Sequence, residues 1–258
     1  MINVLDRDLR YALSPVELFT DAVGKPDKWQ AEILDSLLDD NAPRQSLLLC
    51  SRGSGKSEIC ACAALWTALY QPGSLTLLCS VSLRQSSEIF RKVARALHAI
   101  GGDSDAILQE SALKLELRSG SRVISLPGSE STSRGYHGCT CLIFDEIGKI
   151  PDEMVFALLP SQATAGPGAR LFACGTPAGK RGFLWNEWDH GVGYARYSVK
   201  ATDVPRIPAS FLKRQMEVCG AYVFAQEYEN VFCENDMTLI SDDLVKAAMV
   251  DTGEKPWW

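Results

Sequence analysis

Residues 47–57 combine amino-acid types that can hold a chain of phosphates. An apolar run at 47–50 leads into a glycine-containing loop that ends in Gly55-Lys56-Ser57, and a helical pattern follows at once. Backbone N–H groups of such a loop, with the N-terminus of the following helix, surround a triphosphate. The Lys56 ammonium reaches the β- and γ-phosphates, and the Ser57 hydroxyl is placed to bind Mg²⁺. The segment therefore predicts a phosphate-binding loop, or P-loop.

One position departs from the usual P-loop pattern, in which four residues separate a first glycine from Gly-Lys-Ser/Thr. Here Cys50 occupies that first position, so a strict pattern search would miss the site. The alternative is an ordinary strand–turn–helix connection with a solvated lysine.

A second chemical feature lies at residues 139–147, where an apolar strand pattern ends in Asp145-Glu146. In a P-loop enzyme the first carboxylate holds Mg²⁺, and the second polarises the attacking water. An acidic pair at the start of a surface loop is the alternative. The two features occur in the expected order, each after an apolar strand, so together they favour a nucleoside triphosphatase.

Composition excludes several other classes of protein. The 258 residues are 46% hydrophobic and 22% charged, which is ordinary for a globular chain. The net charge of −6 argues against a protein that coats nucleic acid, although a local basic track is compatible with it. No apolar run is long enough to span a bilayer, and the first residues do not resemble a secretory signal. The nine cysteines are expected to be reduced and mostly buried.

Strand patterns alternate with helical patterns, which predicts an α/β fold with a mainly parallel central sheet and helices on both faces. Strands are predicted near 46–50, 75–80, 113–117, 122–126, 140–144, 170–174 and 194–199, with a hairpin at 118–121. Helices are predicted near 27–39, 57–70, 83–99, 152–159, 181–189 and 208–229. A strand between the P-loop and the Asp-Glu strand, with glutamate directly after aspartate, is typical of the additional-strand, RecA-like group of P-loop ATPases (ASCE).

Further segments carry a family resemblance. Residues 26–30 (Pro-Asp-Lys-Trp-Gln) resemble the glutamine motif that reads adenine, and Arg52 lies inside the P-loop. Arg134 precedes the Asp-Glu strand, and a later strand ends in Gly-Thr-Pro at 175–177. From Trp29 to Thr176, and more weakly to Phe232, the chain resembles the ATPase domain of a tailed-bacteriophage terminase large subunit. A P-loop with arginine and without its first glycine is typical of that family.

The resemblance implies roles for individual residues, with ATP and Mg²⁺ as ligands. Glu146 would activate water, Lys56 would bind phosphate, and Arg52 or Arg134 would sense the γ-phosphate or act as an arginine finger. Ser57 and Asp145 would hold Mg²⁺, and the segment at Thr176 would couple hydrolysis to movement. The implied nucleotide-binding residues are Trp29, Gln30, Ser51, Arg52, Gly53, Ser54, Gly55, Lys56, Ser57, Glu58, Asp145 and Thr176. Arg134 could instead be a turn residue or a carboxylate partner, and Thr176 a strand-terminating turn.

The resemblance also implies an organisation and partners. We expect a helical cap with the adenine motif at 1–45, the ATPase core at 46–205, and a helical subdomain or linker at 206–258. The family's nuclease domain is not expected in this chain, which we expect to be truncated or naturally short. Implied partners are double-stranded DNA, the portal or procapsid, the small terminase subunit and a homo-oligomeric ring, with a monomer in isolation and no membrane, in the host cytoplasm.

Two other functions stay open at this stage. One is a fragment of a superfamily-2-like helicase, and the other is a non-hydrolysing module that binds DNA or procapsid and uses ATP as a structural ligand. A DNA track is expected on Arg84, Arg91 and Arg95, which recur at helical spacing. The alternative is a solvated helix face that includes Glu88.

Overall fold

The computed structural model describes residues 4–101, 107–126 and 135–234. Within these residues the helices are α1 (Val4–Leu13), α2 (Pro15–Ala22), α3 (Lys28–Asp35), α4 (Lys56–Tyr70), α5 (Leu83–Ala99), α6 (Asp152–Leu158), α7 (Gly182–Asp189) and α8 (Ala209–Glu229). The strands are β1 (Gln45–Cys50), β2 (Leu75–Ser80), β3 (Ile107–Glu110), β4 (Lys114–Leu117), β5 (Arg122–Leu126), β6 (Cys139–Asp145), β7 (Arg170–Gly175) and β8 (Tyr194–Val199).

The eight described strands form one sheet in the order β3-β4-β5-β2-β6-β7-β1-β8. Neighbours from β5 to β8 run parallel, and β3, β4 and β5 pair antiparallel. The register aligns Ser80 with Asp145, Asp145 with Cys174, and Cys174 with Leu48. The carboxyl ends of β2, β6, β7 and β1 therefore meet at one edge of the sheet. This is where ligands bind in open parallel sheets.

The architecture confirms the predicted fold class. All seven predicted strands are present, and the turn at 118–121 joins β4 to β5 in the predicted hairpin. Sequence patterns missed β3, because its four residues are half-buried or exposed and show no apolar alternation. In the sheet, the strand between β1 and β6 is β7. Strand β2 comes between β1 and β6 along the chain, but in the sheet it lies on the other side of β6.

Burial on both faces explains why the central strands are almost continuously apolar. Along β1, Leu48 and Cys50 join the cluster that packs under α1 to α5. Leu47 and Leu49 point to the opposite face, beneath α6 and α7. All nine cysteines are free thiols and seven of them are buried, which agrees with the sequence-based interpretation.

Helix α8 is bent back on itself at Gly220. This residue has φ 77° and ψ 165°, a backbone conformation that is essentially restricted to glycine. The segments 209–219 and 221–229 consequently pack side by side. The Phe211 and Tyr228 rings lie 6.3 Å apart, and the Tyr228 hydroxyl donates a hydrogen bond to Gln215 at 3.1 Å. We call residues 209–229 the helical hairpin.

The division of the chain at residues 45 and 205 stays a prediction. Residues 1–3 and 235–258, at the two ends of the proposed outer units, lie outside the described residues. Helices α1, α2 and α3 contact α4, so the proposed cap lies against the P-loop helix.

We predict that Gly220→Ala lowers the free energy of unfolding by roughly 1–3 kcal/mol, because alanine is strained at this φ and ψ. No atom lies within 4 Å of the position its Cβ would occupy, so the cost comes from the backbone alone. Gly168→Ala is the matched control, since Gly168 also has open space but no positive φ. Urea unfolding compares the two variants. Equal stability would show that the bend does not depend on a left-handed Gly220.

Candidate active site

The P-loop joins the carboxyl end of β1 to the first turn of α4. Gly53 and Gly55 both have positive φ, at 77° and 95°. A Cβ on Gly55 would lie 2.9 Å from the amide nitrogen of Gln30, so a side chain there would require that amide to move. The Ser51 N–H bonds the Val199 carbonyl at 2.9 Å, which fixes the start of the loop to β8. The first turn of α4 directs main-chain N–H groups toward the loop, where they could bind the phosphates of a ligand.

Cys50 replaces the first glycine without strain, because it is the last residue of β1 and its side chain is fully buried. Only positions 53 and 55 of this loop have the left-handed φ that favours glycine. Burial raises the pKa of the Cys50 thiol to about 12, with smaller opposing effects from Lys56. The thiol is therefore a neutral packing group rather than a nucleophile.

Lys56 and Glu146 form the central ion pair of the site. The Lys56 ammonium lies 2.7 Å from a Glu146 carboxylate oxygen, and their side chains are 10% and 19% exposed. Burial is the largest single effect and opposes the charge of each group, but the hydrogen bond between them and the surrounding opposite charges together outweigh it. The pKa of Glu146 is consequently lowered and that of Lys56 raised. Glu146 has φ 58° and ψ 41°, a left-handed conformation that costs a glutamate roughly 1–2 kcal/mol.

Asp145 is the last residue of β6 and is 6% exposed. Burial raises the pKa of its carboxyl group to about 6, although Lys56 opposes the shift. Among the described residues, no group donates a hydrogen bond to its Oδ1 atom. A buried carboxylate oxygen without a donor fits a cation ligand.

The described residues contain no cluster of three His, Cys, Asp or Glu side chains able to hold a metal ion. A cation bound by Asp145 and the half-buried Ser57 would therefore need phosphate and water oxygens to complete its shell. Mg²⁺ binds in this way at nucleotide sites.

The Gly-Thr-Pro segment after β7 packs directly against the turn that carries Glu146. A Cβ on Gly175 would lie 3.1 Å from the Ile147 nitrogen, and one on Gly148 would lie 2.8 Å from the Thr176 carbonyl oxygen. Two glycines thus allow this close approach of backbones. The Thr176 hydroxyl is buried without a hydrogen-bond partner in the described structure, as is that of Ser51. Both hydroxyls are therefore available to a ligand at this edge of the sheet.

Gln30 is buried at the start of α3, and its carbonyl oxygen accepts a hydrogen bond from the Asp27 N–H at 2.8 Å. Its amide nitrogen faces Gly55. A cavity of about 260 Å³ beside the P-loop is lined by Gln30, Gly55 and Glu58 among others. Trp29 points elsewhere, into a cavity of about 370 Å³ that none of the P-loop residues lines.

Arg206 links Asp27, in the predicted adenine motif, to the P-loop, and sequence reasoning missed it. Its guanidinium bonds the Asp27 carboxylate at 2.8 Å and the Ser54 carbonyl at 2.9 Å. It also lines the cavity beside Gln30 and a second cavity, of about 400 Å³, next to Arg52 and Gly53. An isolated arginine 152 residues after Ser54 gives no local signal of this contact.

The remaining predicted residues lie in different surroundings. Arg52 is 69% exposed and 3.8 Å from Glu227, and Arg134 lies outside the described residues. Glu58 is held by Lys92 and Arg95 at 3.0 Å each.

On the face of α5 proposed to contact DNA, Arg84 is exposed and Arg91 pairs with Glu88 at 2.7 Å. With Arg95 on Glu58, two of the three arginines already have carboxylate partners.

Comparison with known proteins identifies the family. The family described as terminase large subunit, T4likevirus-type, N-terminal, matches residues 47–201. Among curated proteins, no sequence matches the chain.

Solved structures share the fold. The ATPase domain of the Thermus phage P74-26 large terminase is 20% identical, with a TM-score of 0.67 over 86% of this chain and 100% of that one. The HK97 bacteriophage large terminase is 16% identical, with a TM-score of 0.71 over 86% of this chain and 55% of that one. The large terminase of the thermophilic bacteriophage D6E, in complex with ADP, is 12% identical, with a TM-score of 0.63 over 80% and 54%.

The chain thus spans about half the length of the HK97 and D6E proteins and the whole of the P74-26 ATPase domain. The family match covers more than half of its residues and includes the P-loop, the Asp-Glu strand and the Gly-Thr-Pro segment. The chain belongs to the family of phage terminase large subunits, of which it matches the N-terminal, ATPase part.

Proposed function

We propose that this chain hydrolyses ATP and uses the reaction to move double-stranded DNA into a procapsid. The observation that carries the proposal is the Lys56–Glu146 pair, which lies beside a buried Asp145 oxygen without a donor. A phosphate-binding cation, a metal-binding carboxylate and an ionised base therefore meet at one edge of the sheet. The D6E structures with ADP and with ATP-gamma-S add support for nucleotide binding.

In the proposed reaction, Lys56 leaves Glu146 and binds the β- and γ-phosphates. The freed Glu146 carboxylate orients a water in line with the γ-phosphate and accepts its proton. The water oxygen bonds to the γ-phosphorus, and the bond to the bridging oxygen breaks with its electron pair retained by ADP. Mg²⁺, when held by Ser57 and Asp145, would neutralise charge on the phosphates.

Movement would pass through Thr176, because its carbonyl packs against the turn that carries Glu146. A shift of Glu146 during the reaction would displace the Gly-Thr-Pro segment and elements that contact DNA. The exposed Arg84 supports a contact with DNA phosphates better than Arg91 and Arg95, which are paired.

We further propose the assembly that the resemblance implies. The chain would be a monomer in isolation and would work as a ring on the portal of a procapsid, with the small terminase subunit, in the host cytoplasm. Arg134 would act as an arginine finger on a neighbouring subunit, where such a charge is worth roughly 10³–10⁵ in rate. Among the helices that the structure describes, none has the length and apolar character to cross a membrane.

We predict that Lys56→Ala and Glu146→Gln separate binding from chemistry. Lys56→Ala should lose Mg²⁺·ATP binding, because the countercharge to the phosphates is gone. Glu146→Gln should still bind Mg²⁺·ATP, but kcat should fall by about 10²–10⁴, because the amide cannot accept the water's proton. Phosphate release and nucleotide titration measure both effects, with Lys213→Ala as control, since Lys213 is exposed and lies outside the P-loop and residues 26–30.

Wild-type turnover in Lys56→Ala would contradict the P-loop assignment. Binding of Mg²⁺·ATP without any turnover in the wild-type chain, including under conditions in which it is assembled into a ring, would instead favour the non-hydrolysing module.

We predict that Gln30→Glu weakens ATP binding by roughly 1–3 kcal/mol more than it weakens GTP binding. Glutamate keeps the hydrogen bond that caps α3, because its oxygen can still accept from the Asp27 N–H. Its buried charge repels the phosphates of both nucleotides alike, whereas the loss of the amide donor that would pair with an adenine ring nitrogen affects ATP alone. Competition titrations with ATP and GTP test this. Equal wild-type affinities for ATP and GTP would remove the adenine-reading role of Gln30.

A further inference from the structure

The helical hairpin places the carboxylate of Glu227 at the candidate site. One Glu227 oxygen lies 3.6 Å from the Lys149 ammonium, and the other lies 3.8 Å from the Arg52 guanidinium. The Glu227 main-chain carbonyl also accepts a hydrogen bond from the Arg52 N–H at 3.0 Å. The side chain is 17% exposed, so two cations and the P-loop backbone surround a largely buried carboxylate.

Lys149 connects Glu227 to Glu146, the proposed base. Its ammonium lies 3.7 Å from the Glu146 oxygen that does not face Lys56. Glu146 therefore lies between two lysines, and Glu227 holds the second one. Lys149 is in the short helical turn directly after Glu146, so its ammonium is placed to attract that Glu146 oxygen.

The segment that carries Glu227 is firmly attached to the core. The Asn230 amide donates hydrogen bonds to the Leu49 carbonyl at 2.9 Å and to the Ser198 hydroxyl at 3.3 Å. Two residues later, the Phe232 ring lies 4.9 Å from that of Trp185. These contacts fix the end of the hairpin against the strand that leads into the P-loop. Glu227 is therefore held at a defined position relative to Lys149.

We propose that Glu227 is a positioning residue, which acts through Lys149 to hold the Glu146 carboxylate in place when Lys56 moves to the phosphates. The proposal rests on the hydrolytic function proposed above. Without nucleotide, Lys56 alone can hold Glu146. With nucleotide, Lys149 becomes the remaining cation beside Glu146 among the described contacts, and Glu227 keeps it there. Arg52, mostly exposed, is free to turn from Glu227 toward a γ-phosphate.

The test compares the ATPase kinetics of Glu227→Gln and Lys149→Met with those of the wild-type chain. Each variant should lower kcat by about 10–100-fold, the usual effect of slightly misplacing a reacting group. The affinity for Mg²⁺·AMP-PNP should stay within about twofold, because Lys56 and Ser57 are intact. Lys149→Arg should retain most of the wild-type kcat, because arginine carries the same charge as lysine. The double variant should be no slower than Lys149→Met alone, because Glu227 acts through Lys149.

Matched controls lie on the same hairpin. Glu229→Gln and Lys213→Met remove exposed charges of the same types and should leave kcat unchanged. Unchanged kcat in Glu227→Gln, or losses that multiply in the double variant, would overturn the proposal. So would a loss of AMP-PNP affinity that accounts for the whole effect, because Glu227 would then act on nucleotide binding. A wild-type chain that binds ATP without hydrolysing it would refute the hydrolytic function itself, which distinguishes the two failures.

Discussion

Lys56 carries a positive charge in a position that is almost closed to water, at the first turn of α4. A buried ammonium is strongly destabilising unless an anion lies against it. In the structure that anion is Glu146, at 2.7 Å. In the proposed reaction, a nucleoside triphosphate would offer Lys56 a more highly charged anion and would free the carboxylate that serves as the base. The same ion pair would therefore stabilise the buried ammonium before nucleotide binds and supply the base afterwards.

The strand order of the sheet connects the proposed change in the partner of Lys56 to the rest of the site. Because β7 lies between β1 and β6, the residues after β7 touch the turn that carries Glu146. Gly148 and Gly175 allow that contact by leaving no Cβ between the two backbones. A change in the partner of Glu146 would therefore reach Thr176 through this contact, which is the basis on which we propose that hydrolysis is coupled to movement.

Features encoded in short segments could be predicted from the sequence. The P-loop and the Asp145-Glu146 pair each follow an apolar strand, so their type and order predicted a shared edge of a parallel sheet. Helix α4, strand β6 and the hairpin between β4 and β5 were predicted for the same reason. Strand β3 was missed, because a short, mostly exposed edge strand has no hydrophobic pattern.

Contacts between distant segments could not be predicted. Arg206 bonds Ser54 from 152 residues away, and Asn230 bonds Leu49 from 181 residues away. Neither residue belongs to a local pattern that indicates its partner. Glu227 and Lys149 lie 78 residues apart, and no local pattern indicates that the fold brings their charges to within 3.6 Å of each other. The roles of Arg134 and of the residues after 234 stay predictions, because they lie outside the described part of the chain.

We expect nucleotide to replace Glu146 as the partner of Lys56. A crystal structure of the chain with Mg²⁺ and AMP-PNP tests this expectation. In it, the Lys56 ammonium should bond phosphate oxygens and should have left Glu146, whose carboxylate should face Lys149 and a water near the γ-phosphate. A structure in which nucleotide is bound while Lys56 keeps its 2.7 Å contact with Glu146 would show that the proposed exchange does not occur.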